Sequence, residues 1–210
     1  MATIPDKINI RTELSLYTAL ERGETISQHA LSKRLSISAG LVNTLIRRIV
    51  RKGLAKAQSV PPKRWAYFLT PKGFAEKSRL VASYLENSLA FFREARDEYV
   101  ELFRQLRRAN VQRVIFAGRG ELLEIALLAA READMEVVGI LDSGANESSL
   151  LSLAFLRDLK GIDPSVALVI TDSRQPQLAY DRALVQAEGR RILAPDFLCI
   201  TPSSAGATKS

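Results

Sequence analysis

The sequence predicts two folded units of different class joined by one long helix: an α+β helix-turn-helix backed by a hairpin, then an α/β unit built on parallel strands. Three observations predict this. Residues 1 to 110 hold 20 Lys and Arg against 10 Asp and Glu, whereas residues 111 to 210 hold 10 against 13, so the halves carry opposite net charge and suit different partners. The first half passes from helically spaced apolar residues to two short strand-like runs, and the second alternates strands, turns and helices. Between them no Pro or Gly interrupts the chain from Phe74 to Ala117. At 210 residues and 47% hydrophobic, the chain can form two cores of about 100 residues each.

Composition narrows the function classes. No stretch approaches the roughly 20 apolar residues that span a bilayer, and the expectation is a soluble, cytoplasmic protein. Cys199 is the only cysteine and His29 the only histidine, which leaves no intrachain disulfide and no Cys/His ligand set for a metal. Cys199 lies among Phe197, Leu198 and Ile200, a setting for a buried structural thiol more than for a redox switch. Residues 202 to 210 have too few large apolar groups to fold unaided and form a flexible tail.

In the first half, Leu14, Leu16, Tyr17 and Leu20 fit an amphipathic helix over Glu13 to Leu20 that Gly23 stops. A second helix runs from Ile26 to Leu35, with Ser27 as its cap and Ala30, Leu31 and Leu35 buried. Ser36, Ile37 and Ser38 break the chain, and a third helix starts at Ser38. Its Leu41, Val42, Leu45, Ile49 and Val50 recur at helical spacing, which leaves Gly40, Asn43, Thr44, Arg47 and Arg48 for the other face. After Gly53 come two strands, Leu54 to Gln58 and Trp65 to Thr70. Residues 59 to 64 join them, with Lys63 and Arg64 at the tip. A basic-tipped hairpin after a helix-turn-helix is a winged helix. Trp65 and Tyr67, at alternate strand positions, are expected to pack on the third helix.

Between Glu24 and Glu76 the chain places ten Lys and Arg and no Asp or Glu. A one-signed field of this size suits the phosphate backbone of DNA; the bland alternative is a solvated basic face. A helix in the major groove needs small or hydrogen-bonding side chains near its amino end and cations where it passes the phosphates. Ser38, Gly40, Asn43 and Thr44 supply the first, and Arg47, Arg48 and Arg51 the second. Lys63 and Arg64 are placed for backbone or minor groove. Singly, Ser38 reads equally as a helix cap and Asn43 as a solvated residue; jointly they form a reading surface.

The run from Ile26 to Ile46 (ISQHALSKRLSISAGLVNTLI), the later Lys52-Gly-Leu54 and the closing Tyr67-Phe-Leu-Thr-Pro-Lys-Gly73 resemble MarR-type winged-helix regulators. The likeness is greatest to the subgroup associated with exopolysaccharide gene clusters. It covers about residues 10 to 100 and implies a DNA-binding homodimer. Leu41 departs from the subgroup, which tends to carry a polar residue there.

Thr70 caps a helix with Pro71 at its first position, running to about Asn110. Along it Leu85, Phe92, Tyr99 and Leu106 recur every seven residues, a seam that calls for a second helix. The expected partner is another copy of the chain; the alternative is this chain's own first helix or second unit. The domains expected are 1–70 (winged helix), 71–110 (linker and dimerisation helix), 111–201 (α/β) and 202–210 (tail).

In the second half, Arg113 to Gly118 is a strand ending in Gly118-Arg-Gly120, Glu121 to Glu132 a helix, and Glu136 to Asp142 a strand with an acid at its end. Strand, glycine turn, helix, strand, acid is the Rossmann-like mononucleotide-binding order: backbone amides at the helix start approach phosphates and the acid accepts from ribose hydroxyls. The ligand candidates are Gly118, Arg119, Gly120, Glu121, Asp142 and Ser143, with Asp172 and Ser173 at a later strand end. Leu123 stands where a third glycine would complete the dinucleotide fingerprint, and Glu121 serves equally to stabilise the helix amino end. Val166 to Thr171, Gln177 to Ala187 and Arg191 to Thr201 complete a small parallel sheet as strand, helix and last strand. The stretch Val114 to Leu122, with Val137 to Asp142, is similar to nucleotide-binding domains of sugar-modifying enzymes in polysaccharide synthesis. The function expected is a transcriptional regulator, without catalysis, that binds twofold-related half-sites and senses a nucleotide sugar. An NAD(H)-responsive redox regulator, a sugar-nucleotide enzyme with a DNA-binding module, and a domain with no ligand are the alternatives.

Overall fold

The structure, a computed structural model, describes residues 9–21, 28–60, 64–142, 144 and 148–201. The chain forms two compact units, Met1–Leu89 and Ala90–Ser210.

In the first unit, α1 (Ile10–Glu21), α2 (Gln28–Leu35) and α3 (Ala39–Arg51) precede a hairpin of β1 (Ala55–Val60) and β2 (Arg64–Leu69). Its core is Leu16, Tyr17 and Leu20 of α1, Leu31 of α2, and Val42, Leu45, Ile46 and Ile49 of α3. These residues lie on the helical rows of the sequence except Ile46, which the structure adds; Leu14, Leu35, Leu41 and Val50 of those rows are half-buried against the core, and Ala30 is exposed. Ser38 caps α3, its hydroxyl accepting from the Leu41 amide at 3.2 Å, as the first-turn donors of a helix require. The strands pair antiparallel, with Ala57 opposite Tyr67 and Ser59 opposite Trp65. Helix α4 (Pro71–Arg108) starts on the end of α3. The Thr70 hydroxyl donates to the Gly53 carbonyl at 2.7 Å and accepts from the Gly73 amide at 3.1 Å. A Cβ at Gly73 would stand 1.9 Å from the Leu54 carbonyl oxygen, so only glycine lets the helix pass this close. The Ser27 cap lies outside the described residues.

In the second unit, β3 (Arg113–Ala117), α5 (Glu121–Glu132), β4 (Glu136–Leu141), β5 (Ser149–Leu150), β6 (Leu153–Leu156), β7 (Ala167–Ile170), α6 (Pro176–Gln186) and β8 (Ile192–Leu193) follow in order. The sheet order is β5-β6-β4-β3-β7-β8. All neighbours are parallel except β5 and β6, so the expected parallel sheet is a mixed one with an antiparallel edge. Residues 149 to 156 are mostly apolar, but β5 has two residues and β6 four, runs too short for alternation to mark them as strands.

Alternate residues of the central strands serve the two faces. Val114, Phe116, Ile140, Ala167 and Val169 pack against α5 and the later part of α4. Ile115, Ala117, Leu141, Leu168 and Ile170 pack against Ala183 and Ala187 at and beyond the end of α6. The seven-residue row of α4 is therefore divided. Tyr99 and Leu106 are fully buried in this core, with Tyr99 Oη donating to the Ile170 carbonyl at 2.8 Å, whereas Leu85 and Phe92 are 53% and 37% exposed. The expected row of four is thus not a continuous seam, because its last two residues are covered by this chain's own second unit. Burial pushes the Tyr99 phenol far above its ordinary value. Cys199 is exposed, not a buried structural thiol, because the strand expected there shrinks to β8 and a 3-10 turn over Asp196–Leu198 that turns the thiol outward.

Candidate nucleic-acid interface and strand-edge cleft

The reading face expected on the third helix is the outward face of α3. Gly40 is exposed, and a Cβ there would meet nothing within 4 Å. Thr44 Oγ1 donates to the Gly40 carbonyl at 3.0 Å, and Ser38 is the cap described above. Each hydroxyl thus has a local role as well as exposure. Arg47, Arg48 and Arg51 are exposed and form no ion pair with a described residue. Asn43 is half-buried. Lys63, with the side chain of Arg64, lies outside the described residues.

Asn43, Arg47 and Arg51 turn toward the hairpin and border a groove of about 450 Å³ with Ile46, Val50, Ala57, Trp65 and Tyr67. Tyr67 packs against the core as expected. Trp65 does not, being 55% exposed: it sits opposite Ser59, one pair from the loop end of the hairpin, and the α3 residues bordering the same groove include two arginines.

In the second unit, the carboxyl ends of β3, β4 and β7 border a cleft of about 260 Å³ whose far wall is α6. Of the ligand candidates, Gly118, Arg119, Asp142 and Asp172 line it; Gly120, Glu121 and Ser173 do not, and Ser143 lies outside the described residues. Gly118 has φ 105°, and a Cβ there would stand 2.5 Å from Asp172 Cβ. Its glycine is needed for two strand ends to approach, before any ligand is considered. Asp142 is engaged at both oxygens, Oδ2 with Arg119 Nε at 2.9 Å and Oδ1 with the Gly144 amide at 2.9 Å. Asp172 Oδ1 accepts from the Arg174 and Gln175 amides at 2.8 and 2.7 Å, which closes the turn into α6.

The cleft also takes Gln175, the residue before α6, and Leu178, Arg182 and Gln186 from α6 itself, none singled out in the sequence. Their signal was the spacing 178, 182, 186, one face of a helix. Gln186 Oε1 is buried without a hydrogen-bond partner, so the wall holds an acceptor that a ligand donor would satisfy. Arg119 and Arg182 bring positive charge, Asp142 and Asp172 negative, and Leu141, Leu178 and Ala183 an apolar patch. The arrangement can hold a polar ligand carrying both an anionic group and hydroxyl or amide donors. Among the described residues no cluster of His, Cys, Asp and Glu could hold a metal, and no helix is long and apolar enough to cross a membrane.

No protein-family profile matches the chain, and no curated protein does. Among solved structures, the chain is similar to MepR, a transcription regulator of the Staphylococcus aureus multidrug efflux pump MepA. The identity is 22% over 41% of this chain and 64% of that one, with a TM-score of 0.35. It is similar to AdcR, a zinc-dependent MarR family transcriptional regulator, at 18% identity over 45% of this chain and 65% of that one, TM-score 0.32. An O-methyltransferase of neocarzinostatin biosynthesis, NcsB1, aligns at 14% identity over 98% of this chain and 71% of its own, TM-score 0.25. The chain spans less than two thirds of the length of either regulator.

Proposed function

We propose that the chain is a sequence-specific, DNA-binding transcriptional regulator that acts as a homodimer, with the unit before the long helix reading DNA and the unit after it sensing a metabolite rather than catalysing. The observation that carries the reading is the outward face of α3, where Arg47, Arg48 and Arg51 stand exposed without a carboxylate partner among the described residues beside a capped, uncrowded helix start. Replacing Arg47 and Arg48 by Ala is expected to weaken binding to every duplex and to flatten the dependence of log K on log salt by about 0.9 for each phosphate no longer neutralised. Asn43→Ala is expected to reduce discrimination between a selected and a random duplex by about 1 to 3 kcal/mol. Unchanged affinity and salt slope in the arginine variant would remove the assignment.

The effector proposed is a nucleotide-containing metabolite, a nucleotide sugar of polysaccharide synthesis before NAD(H), held in a Rossmann-like domain. Support comes from the strand order, which reverses direction between β3 and β7, because ligands of open parallel sheets bind outside the carboxyl ends of the strands at such a reversal. The ion pair of Arg119 with Asp142 means that a phosphate and a ribose would compete for groups already joined. Calorimetry with nucleotide sugars, NAD and NADH against the wild type and Arg182→Gln tests this. No binding by the wild type, or equal binding by the variant, would end the effector assignment at this cleft. Turnover of a nucleotide sugar would favour an enzyme with a DNA-binding module.

A further inference from the structure

We propose that the groove between α3 and the hairpin clasps a sugar-phosphate segment of a DNA strand, with Trp65 packed on a deoxyribose and Arg47 and Arg51 on the flanking phosphates. This rests on the DNA-binding reading above and adds a positioning residue to it. The groove has an apolar floor of Ile46, Val50 and Tyr67, and a rim of two guanidiniums with no carboxylate. Its wall is an indole left 55% in water.

An occupant must match both characters. An apolar peptide would strip water from two unpaired guanidiniums, which is strongly unfavourable; an inorganic phosphate would leave the indole exposed. A deoxyribose between two phosphodiesters presents a C–H face and two anions at once. The indole N–H is a donor without acceptor capacity, and the phosphate oxygens are acceptors only. Topology agrees: with α3 in the major groove and the hairpin directed at the adjacent minor groove, the strand that separates the two grooves passes between these elements. Paired bases face away from it, so stacking on bases is not the mode in a duplex.

Trp65 is the only tryptophan of the chain, so its emission reports on this groove without any substitution. Titrating the full chain with duplex DNA is expected to shift or quench that emission in step with occupancy. Trp65→Ala is expected to weaken a selected and a random duplex alike, about tenfold, with the salt slope unchanged. Trp65→Phe should recover most of the loss, and Arg51→Ala should lower the slope by about 0.9.

Unaltered emission at saturating duplex, with Trp65→Ala within about twofold of wild type, would overturn the proposal while leaving DNA binding intact. A loss confined to the selected duplex would make Trp65 a base reader and overturn it too. So would a larger emission change with single-stranded than with duplex DNA at equal occupancy, the mark of base stacking. No duplex binding by the wild type would remove the DNA-binding reading itself, and this proposal with it.

Discussion

Tyr99 decides whether the seven-residue row of α4 is one surface or two. It is wholly buried in the second unit, stacks on Phe103 with ring centroids 6.2 Å apart, and donates from Oη to the Ile170 carbonyl at 2.8 Å. Tyr99→Phe keeps the ring and removes the donor. The net hydrogen bond is worth about 1 kcal/mol, and the carbonyl left in the core adds its own desolvation, so the expected loss is about 1 to 3 kcal/mol. Tyr99→Leu also opens a cavity and is expected to cost about 3 to 5 kcal/mol. Tyr99→Glu buries a charge without a partner and should unfold the second unit. Denaturant unfolding followed by circular dichroism measures the first two, and sedimentation with proteolysis the third. A Tyr99→Phe loss below about 0.5 kcal/mol, the size of an ordinary surface substitution, would refute the buried bond. A folded, monomeric Tyr99→Glu variant would return Tyr99 to an interface between copies.

The two glycines of the β3–α5 turn should separate. Gly118→Ala places Cβ 2.5 Å from Asp172 Cβ and 2.8 Å from its backbone nitrogen, and is expected to cost about 3 kcal/mol or more. Gly120→Ala meets only Ser173 Oγ at 3.3 Å and should cost about 1 to 3 kcal/mol from its backbone conformation alone; equal losses in denaturant unfolding would dismiss the close-approach account. Tyr17, buried beside Glu13 and Glu76, has its phenol pushed up to about 12, with burial the largest cause. A raised folded value gives stability that is complete below the ordinary value near 10 and lost as pH rises toward 12. Tyr17→Phe should therefore flatten the alkaline limb of stability, and Trp65 emission against pH would expose a limb that does not change. Arg190 is buried and donates from Nη1 to the Ala187 carbonyl at 3.2 Å and from Nη2 to the Ile162 carbonyl at 2.5 Å. Arg190→Met leaves both acceptors and should cost about 2 to 4 kcal/mol, and Arg190→Lys should restore little, because one ammonium lacks the fork that reaches both. Full rescue by lysine in thermal melts would show that charge, not the fork, matters.

Local chemistry is what the sequence by itself determined. Ser38 as cap of α3, Thr70 with Pro71 at the start of α4, and the limits of α5 from Glu121 to Glu132 follow from residues within a turn of one another, where capping and periodicity act. Gly118 was likewise marked by its place after a strand, but its reason, the approach of Asp172 from 54 positions further on, was not visible there. Tertiary structure decided what each apolar row faces. A helix packing on another helix and a helix packing on a sheet show the same spacing, so Leu85, Phe92, Tyr99 and Leu106 looked like one seam until the sheet of the second unit covered the last two. The same holds for charge and aromatic faces: Asp142 ends its strand as expected, yet Arg119 and the Gly144 amide take its oxygens. Trp65 alternates with Tyr67 as expected, yet stands in water because the α3 side chains that share its groove include Arg47 and Arg51. Sequence spacing sets which residues share a face; burial depends on what arrives opposite that face from elsewhere in the chain.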